Sequence, residues 1–382
     1  MKIGILTQPL LNNYGGLLQN FALQKVLMEL GHEVLTININ YSEVGYIRRF
    51  ASILKRSLLK TFKKNIAIRV YPTNNENEII AQNTKSFIKK NIKTTRLIKQ
   101  KVNEELLYEY GFDAYVVGSD QVWRPVFSPQ QSTYFLDFLE NNNSVKKIAY
   151  AASFGVSNWE FTKKQTQRFR KLIKLFDAVS VREDTAVDLC KEYLYVDAFH
   201  LLDPTMLLDK DDYLLLIDEQ NIKIKSGNLF TYILDESDEK GLVLKKVAKE
   251  YNLNPYRVMP RAKFSDPHKK SIKDCIFPPV EEWIRGFADA QYIVTDSFHG
   301  TVFSILFNKP FISIANEGRG VTRLKSLLKL FNLEERLILS PDSFDLNKLK
   351  KIDWNEVNSI LENEKEKSLL FLKKQLNNIF NN

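Results

Sequence analysis

The chain has 382 residues, 44% of them hydrophobic and 26% charged, a composition typical of soluble globular proteins with enough length for two domains, each with its own core. Cys190 and Cys275 form no CxxC pair and the four histidines are scattered, which argues against a disulfide framework, a zinc site or a metal cluster, and suits a reducing cytosol. The apolar runs are far shorter than a membrane span, and the net charge of +9 favours anionic partners, although no nucleic-acid-binding motif accompanies it.

The N-terminal stretch predicts one complete βαβ unit, and because Met1 leads directly into a strand we expect no signal peptide. The unit lacks GxGxxG and no acidic residue ends its second strand, so we reject a dinucleotide-binding interpretation. The pair Gly15-Gly16 either makes a plain tight turn or lets a ligand or another backbone approach closely. In order, the elements are a strand at 2–7, a polar turn at 8–16 that contains Asn13, a helix at 17–30 and a strand at 33–39.

The next stretch is basic and amphipathic. No acidic residue lies between Glu43 and Glu76, and residues 46–70 carry an apolar row at helical spacing. Such a segment either binds an anionic membrane surface or is a helix with a solvated basic face whose apolar row packs on the domain. The basic residues are Arg48, Arg49, Lys55, Arg56, Lys60, Lys63, Lys64 and Arg69, and the apolar row is Ile47, Phe50, Leu54, Leu58 and Phe62.

Three further strands, at 112–117, 147–152 and 178–181, end in small or polar residues, a pattern typical of a site at the carboxyl edge of a parallel sheet. Asp120 follows the first of them and either binds a ligand or caps a helix. Arg182 follows the third and opens a helix predicted to run through Tyr193. A cation is disfavoured at a helix amino terminus, so we expect Arg182 to have a partner, either a structural carboxylate or an anionic ligand.

After a crossover at 201–205 the α/β alternation restarts, and its most informative part is the stretch 291–314. A strand at 292–295 runs into a helix at 300–307, with Asp296, Ser297, His299 and Gly300 in the turn between them. The helix amino end favours an anion there, and a histidine can move a proton beside it. Asp296 or Ser297 could instead simply cap the helix. The other elements of this half are strands at 229–234, 255–259 and 311–314, and helices at 239–251 and 280–288.

Two arginines follow the strand at 311–314. Arg319 is flanked by Gly318 and Gly320, and Arg323 comes shortly after. Guanidinium groups just beyond a strand end suit a carboxylate or a phosphate, whereas the alternative is a mobile basic loop. From residue 355 to the end, the pattern predicts a helix with one charged and one apolar side.

Taken together, these stretches resemble the polysaccharide pyruvyl transferase family over about residues 1–330. The part from Thr295 to Gly300, with the strand and arginines that follow it, is the most specific. The stretches that carry the resemblance are Asn-Tyr-Gly-Gly at 13–16 with Gln-Asn-Phe-Ala-Leu-Gln at 19–24, Val-Gly-Ser-Asp-Gln-Val-Trp at 117–123, Tyr-Ala-Ala-Ser-Phe-Gly at 150–155, Ser-Val-Arg-Glu at 180–183, Leu-Asp-Pro-Thr at 202–205 and Thr-Asp-Ser-Phe-His-Gly at 295–300.

The resemblance implies an α/β fold with two Rossmann-like domains facing a cleft, as in GT-B glycosyltransferases. We expect domains at 1–200 and 201–354 and a C-terminal helix at 355–382 that packs back on the first domain. The resemblance also implies transfer of pyruvate from phosphoenolpyruvate to a sugar of a surface polysaccharide or its lipid-linked precursor, as a ketal, with release of phosphate. No cofactor beyond the donor, no metal and no nucleic acid are expected, and the location is cytoplasmic, with the inner face of the membrane as an alternative.

On this basis His299 is the candidate acid that protonates the donor. The donor anion is assigned to the second half of the chain, with Arg182 from the first half, and the acceptor sugar to the first half. Donor-binding candidates are Arg319, Arg323, Arg182, Ser297, Gly300 and Asp296, and acceptor-binding candidates are Asn13, Gly15, Gly16 and Asp120.

Two other function classes remain open. A GT-B glycosyltransferase that uses a nucleotide sugar has the same architecture, but it would usually place a glutamate near its ligand helix, and Glu317 lies only after the next strand. A non-catalytic polysaccharide-assembly protein is the second alternative, against which the combination of His299, Arg319 and Arg323 argues. A relative with redox chemistry is disfavoured because iron–sulfur cysteines are absent from the sequence.

Overall fold

The computed structural model describes residues 1–40, 46–62, 66–128, 130–218, 227–341 and 344–377, which form two parallel sheets with helices packed on them. The elements of the first half are β1 (Lys2–Leu6), α1 (Tyr14–Glu29), β2 (Glu33–Thr36), α2 (Tyr46–Phe62), α3 (Asn74–Ile80), α4 (Gln82–Asn91), β3 (Ala114–Val117), β4 (Lys146–Ala152), α5 (Lys163–Ile173), β5 (Ala178–Val181), α6 (Asp184–Leu189) and β6 (Phe199–His200). Those of the second half are α7 (Lys210–Asp218), β7 (Leu229–Tyr232), α8 (Asp238–Glu250), β8 (Pro255–Arg257), α9 (Val280–Asp289), β9 (Tyr292–Thr295), α10 (Phe298–Leu306), β10 (Phe311–Ile314), α11 (Val321–Leu330), β11 (Leu337–Ile338) and α12 (Trp354–Asn377).

The first sheet has the strand order β2-β1-β3-β4-β5-β6, and every neighbouring pair is parallel. Its central strands are short apolar runs whose residues are almost all buried, as expected where helices cover a parallel sheet. Parallel pairing brings the carboxyl ends of β1, β3, β4 and β5 to one edge. The polar residues that follow these strands therefore collect at that edge.

The second sheet has the order β11-β10-β9-β7-β8 and is also parallel throughout. Strands β7, β9 and β10 are fully buried, and the connection from β9 to β10 runs through α10, whose residues are all buried. The fold is thus α/β with two Rossmann-like domains facing a cleft in a GT-B-like arrangement, as the family resemblance implies. The first sheet ends at His200 and the second begins at Leu229, on either side of the expected domain boundary.

Apolar side chains join the two halves. Tyr14, in the first turn of α1, contacts the rings of Tyr232, Phe277 and Trp283 from the second half, and its hydroxyl donates to the carbonyl oxygen of Pro278 at 2.8 Å. One cluster of buried side chains extends from β1 and α1 through to α9 and α10. The carboxyl edge of the first sheet is thereby held against the start of α10.

Helix α12 contacts the first half. Phe371 packs against Tyr150 of β4 and Phe199 of β6, with ring centroids 6.3 and 5.4 Å apart. The hydroxyl of Ser368 accepts from the backbone N–H of Leu202 at 3.2 Å. Residues 378–382 of the predicted helix lie outside the described residues.

Helix α1 begins three residues earlier than predicted, so the glycine pair lies in its first turn. The interpretation of Gly15-Gly16 as part of a polar turn is therefore wrong. Likewise, the stretch after β10 is not a simple loop, because Arg319 lies in a short 3-10 turn and Arg323 lies on α11. The glycines around Arg319 suggest a loop and hide the short turn, whereas α11 has buried leucines at helical spacing that the interpretation as a basic loop overlooks.

Helix α2 forms in the basic segment, but its apolar row does not pack on the domain over the part whose side chains are described. Phe50, Leu54 and Leu58 are 63%, 51% and 69% exposed, so the packed alternative is wrong for these residues. Lys63 and Lys64 of the basic segment lie outside the described residues. Within the described ranges, no helix has the length and apolar character needed to cross a bilayer.

Candidate functional site

The site is built where the carboxyl edge of the first sheet meets the start of α10. Ser297 caps α10, its hydroxyl oxygen accepting from the N–H of Gly300 at 3.4 Å. This is the capping alternative for Ser297, and it fixes the first helical turn. His299 lies in that turn and is buried. The strand–turn–helix predicted for this stretch is confirmed, with the helix starting at Phe298.

Gly15 lies directly against His299. A Cβ atom built on Gly15 would overlap the ring near Nδ1. Only glycine leaves room for the imidazole at this point, so the close approach expected of the glycine pair is real, but the approaching group is a side chain from the other half. The position of His299 therefore depends on both halves of the molecule.

Asp203 connects His299 to Arg182. Its Oδ2 atom lies 2.6 Å from Arg182 Nη1 and 3.5 Å from His299 Nε2, and it also accepts from the hydroxyl of Ser119 at 3.0 Å. Burial alone would raise the pKa of the Asp203 carboxyl, but His299 and Arg182 outweigh it and hold that pKa well below its usual range. Asp203 is therefore ionised and contacts both Arg182 and His299.

Asp203 is one of two residues to which the sequence pattern assigns no role. It lies in the Leu-Asp-Pro-Thr stretch, where its Oδ1 atom accepts from the N–H of Thr205 at 3.0 Å and caps a short turn. This stretch contributes to the family resemblance, but it does not indicate a role for Asp203. The Asp203 carboxylate is the structural partner that we expect for Arg182, a cation at a helix amino terminus.

Asp120 lies between Asn13 and Arg182. One carboxylate oxygen accepts from Asn13 Nδ2 at 3.4 Å, and the other lies 3.7 Å from Arg182 Nη2. Gly16 is adjacent to both Asn13 and Asp120. Asp120 has a φ of 76°, an unfavourable value for a residue with a side chain, of a kind that clusters at functional sites. A chain of contacts thus leads from the exposed Asn13 to the buried His299.

Arg182 and Arg323 lie on the ring of Phe298, with guanidinium carbons 4.3 and 5.4 Å from its centroid. Both arginines are buried. Burial, and then the charge of Arg182, lower the pKa of Arg323 to about 9. Within the described ranges no carboxylate lies within 4.0 Å of Arg323. A buried guanidinium without a counter-ion is costly, and an anion would relieve that cost.

Several hydrogen-bond donors around this point are unused. Among the described residues, no hydrogen bond is made to Arg182 Nε and Nη2, Arg323 Nε or His299 Nε2. Two of these atoms face carboxylates at longer distances, His299 Nε2 at 3.5 Å from Asp203 and Arg182 Nη2 at 3.7 Å from Asp120. Buried polar groups are nearly always satisfied in native proteins. The unused donors therefore indicate a place for oxygen atoms of a bound anion.

Arg319 and Asp296 lie beside this cluster and already have partners. Arg319 pairs with Asp235 through Nε at 2.5 Å and Nη2 at 3.2 Å, and this pairing holds the pKa of Asp235 below its usual range. Asp296 accepts from the N–H groups of Leu234 and Asp235 at 2.7 and 3.2 Å, and Lys240 Nζ lies 2.7 Å from it. Asp296 thus organises the loop after β7, and the donor-binding role of both residues stays a prediction.

A further missed residue, Glu183, shapes the loop after β4. Its Oε1 atom accepts from the Ser153 hydroxyl and from the N–H groups of Phe154 and Gly155, all within 3.0 Å. The same loop meets Gly320, where a Cβ would overlap the carbonyl of Gly155 and where φ is 90°. This contact places the start of α11, and therefore Arg323, against the first sheet.

The arrangement combines two buried guanidinium groups, an imidazole and a helix amino end. Such a site suits a small anion that carries carboxylate or phosphate oxygens and receives a proton. Among the described residues, no group of three or more His, Cys, Asp or Glu side chains is placed to hold a metal ion. Of the predicted site residues, the structure brings together Asn13, Gly15, Gly16, Asp120, Arg182, Ser297, His299, Gly300 and Arg323.

Comparison with solved structures returns proteins of the same overall fold. S. aureus MnaA in a co-structure with UDP has a TM-score of 0.51 and 12% identity, and the match covers 99% of this chain and 97% of that one. UDP-GlcNAc 2-epimerase from Neisseria meningitidis bound to UDP-GlcNAc has a TM-score of 0.50 and 11% identity, with 99% and 100% covered. At such identities the likeness shows the fold alone.

Comparison by sequence identifies the family. A search of curated proteins returned no match. Residues 13–318 match the family described as "Polysaccharide pyruvyl transferase", a stretch that includes every candidate residue except Arg319 and Arg323. The chain belongs to the polysaccharide pyruvyl transferase family, a family of transferases.

Proposed function

We propose that this protein transfers the pyruvyl group of phosphoenolpyruvate to two hydroxyls of a sugar, forming a cyclic ketal and releasing phosphate. The observation that carries the proposal is the buried guanidinium of Arg323. It lies beside Arg182 across Phe298, without a described carboxylate partner and with an unused N–H. A small polyanion is the ligand that this arrangement favours. The family match supports this proposal, since pyruvyl transfer requires a donor that carries a pyruvyl group.

Arg323 and Arg182 would hold the carboxylate and phosphate oxygens of the donor. Arg182 keeps its ion pair with Asp203 through Nη1, which leaves Nε for the ligand, together with Nη2, whose contact with Asp120 is 3.7 Å long. Planar guanidinium groups match both kinds of oxyanion and stabilise charge that develops as phosphate departs. Ser297 and Gly300 contribute the amino end of α10. Arg319 would contact the donor only if its guanidinium bound the donor and Asp235 at the same time.

His299 would act as the acid. The carboxylate of Asp203 lies 3.5 Å from Nε2, and Gly15 lies against the ring near Nδ1, so both orient the imidazole. A histidine can carry and deliver a proton near neutral pH. The imidazolium gives its proton to the methylene carbon of the donor, and the neighbouring carbon becomes electrophilic. Asp203 contacts no donor atom in this scheme and is a positioning residue.

The atoms balance without a further reagent. The first sugar hydroxyl bonds to the electrophilic carbon and loses its proton, which restores His299. The second hydroxyl then forms its bond to the same carbon as the carbon–phosphate oxygen bond breaks. Its proton leaves with phosphate. One hydroxyl proton therefore ends in the new methyl group and the other on the phosphate.

The acceptor would bind at the surface end of the contact chain, near Asn13, Gly16 and Asp120. These residues offer an amide, a space without a side chain and a carboxylate, which suit sugar hydroxyls. Gly15 lies deeper and is covered by His299. We assign the acceptor to a surface polysaccharide or its lipid-linked precursor, and the location to the cytoplasm, at the inner face of the membrane for a lipid-linked acceptor.

Thermal unfolding with candidate ligands tests the donor. Phosphoenolpyruvate should stabilise the protein by about 2.7 kcal/mol at a hundred times its dissociation constant, whereas UDP- and GDP-sugars should not. Arg323→Met keeps the bulk and removes the buried charge. We expect this variant to be at least as stable as the parent without ligand and to lose the shift with phosphoenolpyruvate. Arg261→Ala, which removes an exposed arginine, is the matched control and should keep the shift.

Other outcomes would replace the proposal. Stabilisation by a nucleotide sugar alone would favour a glycosyltransferase, the activity class in which UDP is a common ligand. No stabilisation by either class, together with no release of phosphate from phosphoenolpyruvate over a panel of sugars, would favour a non-catalytic assembly protein.

His299→Asn should bind phosphoenolpyruvate and release no phosphate. Turnover within a few-fold of the parent would refute the acid role.

A further inference from the structure

Helix α2 carries an exposed apolar row. Phe50, Leu54 and Leu58 follow one another at intervals of four residues, and each exposes at least half of its surface. Residues at this spacing lie on one side of a helix. A run of large apolar side chains on a protein surface marks an interaction site, whereas single ones do not.

The opposite side of α2 is the one that packs. Ile53 and Arg56 are half-buried, and Arg56 Nε donates to the carbonyl oxygen of Ala67 at 2.7 Å. By helical spacing Arg56 lies on the other side of the helix from Leu54, and Ile53 lies at the border between that side and the row. The helix is therefore attached to the protein by one side and presents its apolar row outward.

The surroundings of the row are basic. Lys55 and Lys60 are exposed on α2, and no acidic residue occurs between Glu43 and Glu76. A pocket of about 430 Å³ adjoins the end of the helix and is lined in part by Lys60, Arg69, His268 and Lys269. Glu76 lies 2.6 Å from Arg69 and partly neutralises it, which leaves the lysines as the main charges.

We propose that α2 and this pocket, the α2 surface, bind the anionic side of a phospholipid bilayer. The apolar row enters the boundary between headgroups and acyl chains, and the lysines meet the headgroup phosphates. A row of Phe and Leu flanked by lysines without acidic residues is typical of helices that lie in a membrane interface. A protein interface would instead be poor in lysine. The inference stands apart from the proposed function, because none of these residues belongs to the candidate site.

The α2 surface also connects to the acceptor side of the site. Beyond Arg69 the chain continues through α3 into α4, where the hydroxyl of Thr84 donates to Asn12 Oδ1 at 2.7 Å. Asn12 precedes Asn13 in the sequence. If the proposed function holds and the acceptor is lipid-linked, membrane contact through α2 would involve the same half of the chain as the acceptor candidates.

Vesicle flotation of the full-length protein tests the proposal. The probes are vesicles of phosphatidylcholine alone and of an equal mixture of phosphatidylcholine and phosphatidylglycerol. The parent should float with the mixed vesicles and not with phosphatidylcholine alone, and high salt should weaken its binding. Phe50→Ser with Leu54→Ser, and separately Lys55→Gln with Lys60→Gln, should each weaken binding by roughly ten-fold or more.

Helix α8 supplies the matched control. It has one exposed leucine, Leu242, and the exposed lysines Lys245 and Lys249. Leu242→Ser with Lys245→Gln and Lys249→Gln removes similar groups elsewhere and should leave flotation unchanged. All variants should show the circular dichroism spectrum and melting temperature of the parent, which separates lost binding from lost folding.

Three results would overturn the proposal. The parent could fail to float with the anionic vesicles, or the Phe50 and Leu54 variant could float as the parent does. The third is a parent that forms oligomers and fails to float, while the same variant is monomeric. In that case the row is an interface between protein chains.

Discussion

At the residue scale, the contact between Gly15 and His299 gives the sharpest test of the site. In Gly15→Ala the new methyl group would occupy the place of the imidazole, so the ring must move. Displacing a reacting group by about 1 Å costs on the order of a hundred-fold in rate. We expect Gly15→Ala to lower kcat/KM for pyruvyl transfer by at least that factor, as measured by phosphate release.

The control for this substitution lies on another helix. Gly241, on α8, has no atom within 4 Å of the position that an added methyl group would take, so Gly241→Ala should keep full activity and gain slightly in stability from the better helix propensity of alanine. An active Gly15→Ala enzyme would show that the ring position seen here is not the productive one.

Asp203 gives a prediction for stability and pH. Asp203→Asn leaves Arg182 and His299 buried without their carboxylate, which should cost about 3 kcal/mol of unfolding free energy at neutral pH. The folded-state pKa of Asp203 is depressed, so its contribution is present above the unfolded-state value of about 3.9 and disappears only as pH falls through the lower folded-state value.

Urea unfolding at neutral pH and at about pH 5 measures this difference, which should be the same at both. The exposed Asp211 provides the control, because Asp211→Asn should change stability little. A difference between Asp203→Asn and the parent that vanished by about pH 5 would mean that the carboxylate is not ionised as the contacts indicate.

Site residues differ in how far the sequence alone could identify them. The sequence identifies His299, Arg182 and Asp120 because each follows a buried strand, and such positions are typical of sites in parallel sheets. Parallel pairing brings Asp120 and Arg182 to one edge, and His299 comes from the second sheet. Asp203 could not be assigned a role, because its partners lie 21 residues before it and 96 after it, and nothing local indicates them. The structure adds these long-range pairings.

At the element scale, α12 is expected to contribute stability through one side only. Phe371 is buried against Tyr150 and Phe199, whereas its neighbour Leu370 is 63% exposed. Phe371→Ala should destabilise the protein by about 3 kcal/mol, because it leaves a cavity among aromatic rings. Leu370→Ala should cost less than about 0.5 kcal/mol. Chemical denaturation compares the two, and equal losses would contradict the packing of α12 described here.

Strands were easier to predict than helix starts. The runs 178–181, 292–295 and 311–314 match β5, β9 and β10, because short buried apolar runs between polar residues leave few alternatives. The start of α1 was missed because two glycines in its first turn suggest a loop. Their presence follows from His299, which lies about 280 residues away in sequence, so local propensity could not reveal it.

At the scale of the whole molecule, the shared core predicts one unfolding transition. Tyr14 packs among aromatic rings of the second half, and one cluster of buried residues includes strands of both sheets. Each half also has a smaller buried cluster of its own, but separating the halves would expose the larger cluster that they share. Far-UV circular dichroism and tryptophan fluorescence should therefore give coincident thermal transitions. Two resolved transitions would show that the halves unfold independently.

The contact between Gly15 and His299 also limits how the protein can be recombined. One residue belongs to the first half and the other to the second, and each occupies space that the other leaves free. A hybrid that joins one half of this protein to the opposite half of a relative inherits either Gly15 or His299 from this protein, but not both. Exchange of halves should therefore yield active hybrids only where the incoming partner supplies the matching group, so these positions need to be exchanged as a pair.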